Sequence, residues 1–441
     1  MFNTIKNALK TPEIRKKLLY TLLLLVIFRL GCYITVPMVN LTTLKDAMSS
    51  NSNGVTGLID VISGGAFSRL SIFAMSITPY ITASIVIQLL AMVIPGLERL
   101  TKEGGEEGRK KVDRYTKIVS LILALIEALG VFFSYKASGI FVDTSALAGT
   151  IVILSLIAGT SLLMWLGDKI TTKGIGNGIS MLIFAGIVSS VPQALTSIFG
   201  LVNKDGAFST KGLIEAILMV VAVLVLVVAV IYVQLAERRI PVQYSKRVSG
   251  RRMVGAQNTH IPIKPAMASV MPIIFASSFM TFPAMVIELF VSDIENKAGF
   301  LRVLYNLSIA TYASNVGWGY TIINALIYLL LIVGFTYFYT YATFEPAEVA
   351  NNIKQNGGFI PGIRAGKPTA DYLSSVLSKV VLFGGLFLAA VAIIPMFAKT
   401  TGLNTAFGGS SILIVVGVAI ELSQQLQSLL VMKHYKGFLE K

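Results

Sequence analysis

Apolar residues along the chain gather into ten runs, each near the ~20 residues that a helix rising ~1.5 Å per residue needs to cross a ~30 Å hydrocarbon core. They lie at about 18–36, 72–94, 115–135, 147–166, 175–195, 213–235, 267–291, 320–341, 373–397 and 411–432. This pattern predicts an all-α polytopic membrane protein of ten transmembrane helices. The first run follows Arg15-Lys16-Lys17, as a signal peptide would. It is long for one, contains Arg29 and has nine runs behind it, so we expect a retained helix.

The stretch 57–95 departs from the pattern. Its first part, 58–67, is mildly apolar, carries Asp60 and is broken by Gly64 and Gly65, so it is too short to cross. The following run carries Ser76, Thr78, Thr82, Ser84 and Gln88, yet Ile77, Ile81 and Ile85 recur every fourth residue and share one helical stripe. Lipid cannot satisfy the backbone ends of a short re-entrant segment, which persists at membrane depth only inside protein or a watery cavity. A cavity within the bundle, holding 57–69, is therefore expected.

Composition fits this class. Of 441 residues, 54% are hydrophobic and only 13% charged, with a mean hydropathy of +0.75; a soluble domain carries nearer a quarter charged. The single cysteine, Cys32, excludes an internal disulfide framework. His260 and His434 supply neither a metal-ligand set nor an obvious general base. The net charge of +15 is unevenly placed: leaving out Arg29 and Lys379, 27 Lys and Arg fall on the side of the amino terminus and eight on the other. By the positive-inside rule both termini are expected in the cytoplasm.

Two loops on that side, 237–264 and 344–371, are longer than a connection requires. The first reads as a projecting basic hairpin turning at Ser249-Gly250, with Arg251 and Arg252 near its tip. Solvated topology signal and docking site for RNA phosphates or an acidic protein surface both account for it. Five runs precede the connection around 197–212 and five follow, so halves 1–200 and 201–441 would be inverted relative to one another.

Chemistry is sparse. The Gly174–Gly178 stretch GIGNG is no dinucleotide fingerprint, because its third glycine is misplaced, and we read it as a tight turn opening the fifth run. Gly366-Lys367 is followed by Pro368, not by the hydroxyl residue of a phosphate-binding loop. Ionisable residues inside the runs are few, among them Arg29, Glu127, Lys379 and Glu421. Scattered singly, they suit interhelical pairing better than a coupled ion site, with Glu127 a candidate for a polar seam. The uncharged polar residues of the second and seventh runs, among them Ser277, Ser278 and Thr281, have two readings. Small residues bring helices close, and weakly polar faces can part and meet again.

Several stretches together resemble the SecY family, the central subunit of the Sec protein-conducting channel. They are 64–90 (GGAFSRLSIFAMSITPYITASIVIQLL), 174–188 (GIGNGISMLIFAGIV), 237–247 (ERRIPVQYSKR), 250–264 (GRRMVGAQNTHIPIK), 271–278 (MPIIFASS), 359–373 (FIPGIRAGKPTADYL) and 407–421 (FGGSSILIVVGVAIE). The resemblance implies a clamshell of two five-helix halves around an hourglass pore. It implies a pore ring of Ile77, Ile81, Ile183, Ile187, Ile274 and Ile414. It implies a plug formed by Leu58, Ile59, Asp60, Val61, Ile62, Ser63, Gly64, Gly65, Ala66 and Phe67. A lateral gate between the second and third spans and the seventh and eighth would be lined by Thr82, Ile85, Gln88, Glu127, Ser277 and Ser278. Arg251, Arg252 and Arg364 match loop positions that engage the SecA ATPase or the ribosome. Implied partners are SecE, a SecG-type subunit, SecA, ribosomes, signal sequences and nascent polypeptides, with anionic lipids beside the basic loops; no cofactor is implied. Glu421 stands where the family leads one to expect aspartate. A solute transporter would instead need polar ligands on broken helices at mid-membrane, where this chain converges on isoleucine. An intramembrane enzyme would need a nucleophile–base or metal constellation that the sequence does not offer.

Overall fold

The computed structural model describes residues 6, 8–44, 60, 63–102, 104–137, 139–143, 145–204, 207–208, 210–244, 247–249, 252–254, 258–268, 270–290, 299–310, 317–400 and 409–439. Every one of the ten apolar runs contains helix. In chain order the helices are α1 (Pro12–Gly31), α2 (Thr78–Val93), α3 (Pro95–Lys102), α4 (Gly105–Ala137), α5 (Ala146–Lys173), α6 (Gly178–Ser189) and α7 (Val191–Val202). They continue as α8 (Thr210–Leu235), α9 (Met271–Phe290), α10 (Phe300–Ile309), α11 (Trp318–Thr343), α12 (Pro346–Gln355), α13 (Lys367–Thr400) and α14 (Gly409–Leu439). By length and apolarity, seven described helices could cross a membrane, and the bent pair α2–α3 makes an eighth.

The second run is where helix and hydropathy part company. Residues 72–77, expected to be helical, form turns instead, and α2 starts only at Thr78. Ser76 takes a left-handed backbone at φ 52° and Pro79 occupies the first turn of the helix, where its missing N–H costs nothing. The far end is set by Pro95: Ile94 before it is extended, and the chain swings through 106° into α3. The fifth run opens as the glycine pattern predicts. Gly176 is left-handed at φ 88°, and the Asn177 side chain caps α6 by accepting from Ile179 N at 3.1 Å and Ser180 N at 3.5 Å.

The described strands are short. β1 (Asn203–Lys204) and β2 (Ala207–Phe208) pair beside α7. β3 (Arg238–Tyr244) pairs antiparallel with β6 (Asn258–Ile263), from Arg238 opposite Ile263 to Gln243 opposite Asn258. Between them β4 (Arg247–Ser249) and β5 (Arg252–Val254) pair as the predicted hairpin, with Ser249 opposite Arg252. The other edge of β3 takes β7 (Gly358–Phe359), with Gln243 opposite Phe359 and Tyr244 opposite Gly358. One sheet of order β6-β3-β7 thus unites the two long loops, a link the sequence did not suggest.

Three apolar cores organise the bundle. One draws on α4 and α5 and includes Phe67 and Leu70. A second draws on α8, α9, α11, α13 and α14. The third takes residues from both ends of the chain and holds the isoleucines considered next.

Candidate functional site

Ile77 caps α2 and Ile81 lies one turn on; Ile183 and Ile187 repeat that spacing on α6, Ile274 sits in the first turn of α9, and Ile414 in the first two turns of α14. Helical spacing of four makes each pair share a face. All six pack into the one shared core, each no more than 7% exposed, together with Ile85, which the family resemblance assigns to the gate. Short elements deliver them: α2 begins and α6 ends at this level, so side chains of four helices converge where two spans are interrupted. A cluster of aliphatic groups offers no ligand to a hydrated ion, and an unpaired charge among them costs many kcal/mol.

Ala66 belongs to the same core, and Ser63 and Phe67 beside it are buried. Ser63, Gly64, Gly65, Ala66, Phe67 and Asp60 are described; Leu58, Ile59, Val61 and Ile62 of the predicted plug lie outside the described residues. The turn is held by its own polar groups. Asp60 Oδ1 accepts from Ser68 N at 2.7 Å and Ser68 Oγ at 2.8 Å, and Ser63 Oγ accepts from Phe67 N at 3.1 Å. Gly64 and Gly65 are left-handed, at φ 68° and 82°. A Cβ on Gly64 would come within 2.5 Å of Ser189 Oγ and 3.1 Å of Gly186 Cα at the end of α6. Gly64 is therefore required both by its backbone and by close approach, and Gly65 by its backbone.

Arg29 was expected to pair between helices; its Nη1 donates instead to the carbonyl of Gly64. Its Nη2 reaches Tyr33 Oη at 3.2 Å, and the Arg29 and Arg69 guanidinium carbons lie 5.0 and 4.4 Å from the Tyr33 ring centre. Cys32 is fully buried with Sγ 3.7 Å from the Ser63 carbonyl. The in-span charge of Arg29 was the available signal; neither Tyr33 nor Arg69 gave one.

The predicted gate residues fall on helices that meet. α9 packs against α2, α4 and α11. Thr82 Oγ1 donates to Thr78 O at 3.1 Å, Gln88 Nε2 to Ser84 Oγ at 3.0 Å, and Ser277 Oγ to Ile274 O at 2.9 Å. Each of these bonds stays inside its own helix, so parting the faces breaks none of them. Ser278 is half-buried on α9 and Glu127 is buried on α4.

On the loops, Arg364 is exposed between two left-handed glycines, Gly362 and Gly366, and its carbonyl accepts from Thr369 Oγ1 at 2.8 Å. Arg252 opens β5; Arg251 lies outside the described residues. At the root of β3, Arg239 Nε sits 2.6 Å from Glu237 Oε1 and holds that carboxyl below its ordinary pKa.

Known proteins share this sequence pattern and this fold. The family model described as SecY matches residues 71–423. "Protein translocase subunit SecY" of Halalkalibacterium halodurans is 42% identical, the alignment covering all of both chains. Among solved structures, "The structure of a protein conducting channel" aligns over 94% of this chain and 92% of its own with TM-score 0.67 at 20% identity. "Sec61 in the Canine ribosome-channel complex from the endoplasmic reticulum" aligns over the same shares with TM-score 0.65 at 19% identity.

Proposed function

The chain belongs to the SecY family, and from that premise we propose that it forms the channel of a protein translocase, a passive conduit for unfolded secretory polypeptides across a bacterial plasma membrane. The observation that carries the proposal is the convergence of six isoleucines from four helices into one core beside the 63–67 turn. In the resting state these side chains seal the path against ions by desolvation. An extended polypeptide can part them, because it brings its own side chains to fill the gap. Residues 57–69 act as the plug, and halves 1–200 and 201–441 open as a clamshell. The face shared by α2, α4 and α9 is the lateral gate, through which apolar segments enter lipid. Its hydroxyls and amide stay paired within their helices whichever way the faces move.

The chain draws its driving force from partners. SecA or a ribosome docks on the cytoplasmic loops through Arg251, Arg252 and Arg364; the canine Sec61 with the same fold is seen in a ribosome–channel complex. SecE and a SecG-type subunit complete the complex, anionic lipids neutralise the basic loops, and both termini face the cytoplasm.

The test is the seal. Ile81→Asn or Ile274→Asn puts a hydrogen-bonding amide in the ring, so ion leak through vesicles holding the complex should rise about tenfold. Signal-sequence selectivity should relax in parallel. Unchanged leak in both variants would remove these residues from the pore.

A further inference from the structure

The 63–67 turn is gripped from one side by three residues that the ring and gate do not use. Arg29 projects from the last turn of α1 and donates to the Gly64 carbonyl. Tyr33, one helical turn further on, is flanked by the Arg29 and Arg69 guanidinium groups at 5.0 and 4.4 Å from its ring centre. Arg69 in turn lies across the backbone of Gly65, its guanidinium atoms 3.8 to 4.0 Å from where a Cβ on that glycine would stand. Its Nη1 is buried and has no hydrogen-bond partner among the described residues, so ring and backbone packing hold that end of the side chain.

We propose that Arg29 and Tyr33 form a latch that fixes the resting position of the plug, Arg29 through the Gly64 carbonyl and Tyr33 by gripping Arg69 at the end of the 57–69 segment, with the Tyr33 ring as its keeper. This rests on the channel reading above and adds positioning residues to it. The physical argument is one of balance. Each cation within ~6 Å of an aromatic face is attracted by its quadrupole, more strongly where water is excluded. Two guanidinium ions sharing one ring also repel each other. The grip is therefore real but shallow, as a part that must leave its seat requires. Arg29 is the only one of the three that also bonds the plug's main chain, so it couples the ring to the turn. Gly64 leaves room for the grip because a Cβ there would stand 3.1 Å from Arg29 Nη1.

The native cysteine reports the plug's position without any cargo. Cys32 is 0% exposed, with its Sγ against the Ser63 carbonyl, so it becomes reactive when the turn leaves. The experiment measures alkylation of Cys32 by N-ethylmaleimide in membrane vesicles containing the complete complex, with no precursor added. In parallel, ion leak is recorded from the same vesicles. Tyr33 is 55% exposed, so Arg29→Gln and Tyr33→Leu should each label about two- to fivefold faster than the unsubstituted protein, the ratio expected from losing one exposed cation–ring contact. Tyr33→Phe keeps the ring face and should label at close to the native rate, as should Arg29→Lys, which keeps the charge and a donor. A purely space-filling role for Tyr33 would instead make the leucine and phenylalanine variants alike, and that result overturns the latch. Native labelling rates in both Arg29→Gln and Tyr33→Leu would overturn it as well. Faster labelling with no added leak would uphold the latch and count against the plug as a seal, which separates the two claims.

Discussion

Two glycines decide how the turn at 70–77 can enter the bundle at all. A Cβ on Gly159 of α5 would stand 1.9 Å from the Ile72 carbonyl oxygen, and one on Gly31 of α1 would stand 2.0 Å from the Phe73 ring. The irregular segment is squeezed between two helices at positions where neither has a side chain. Because the Gly159 clash is with backbone, it cannot be relieved by a rotamer change. Gly159→Ala should destabilise the protein by about 1–3 kcal/mol, the usual cost of overpacking. Gly334 of α11 has nothing within 4 Å of its would-be Cβ, so Gly334→Ala should be neutral or slightly stabilising, as helix propensity predicts. Thermal unfolding of the purified complex in detergent checks the pair, and equal melting temperatures would contradict the argument. At this scale the sequence was only partly legible. The isoleucine spacing was visible because helical periodicity writes it into the chain. The grip of Arg29 on Gly64 was not, because a charge in an apolar run announces a partner without saying that the partner is a main-chain carbonyl.

Among elements, each of the ten apolar runs contains helix, but the second was misjudged. Residues 72–77 are as apolar as any helix, and only Ser76 and Pro79 hint that the chain turns there before α2 starts. The hairpin tip was legible from its turn residues, whereas the pairing of β3 with β7 was not. Strands of two residues carry no periodicity, and their partners lie more than a hundred residues away. That pairing matters for docking, since it makes loops 237–264 and 344–371 parts of one platform. Arg364 stands on this platform, exposed and presented by turns at Gly362 and Gly366. Arg364→Glu should lower motor-driven export about tenfold, since reversing a charge at a docking rim slows encounter and shortens contact. The complex should still assemble, because the side chain packs against nothing that the fold needs. Export of a secretory precursor into vesicles at native rate would contradict the docking role.

Across the whole molecule, each half of the chain feeds a core of its own, and a third core gathers residues from both. A polypeptide passing between the halves would have to open that third core. It is built from branched aliphatic side chains and bordered by a turn rather than by another full span. Its content was legible in the sequence through family resemblance. Its geometry was not, because nothing in a linear pattern says that α2, α6, α9 and α14 meet at one level. The measurement that tests this most directly uses a single cysteine. Cys32 is replaced by Ser, a cysteine is placed at Ile183 in the proposed ring, and a secretory precursor is stalled halfway through the complex in membrane vesicles. The account predicts a crosslink between precursor and Ile183→Cys that appears only when the precursor carries a functional signal sequence. Absence of any crosslink from Ile183, Ile187 or Ile274, with export intact, would place the polypeptide path elsewhere and contradict it.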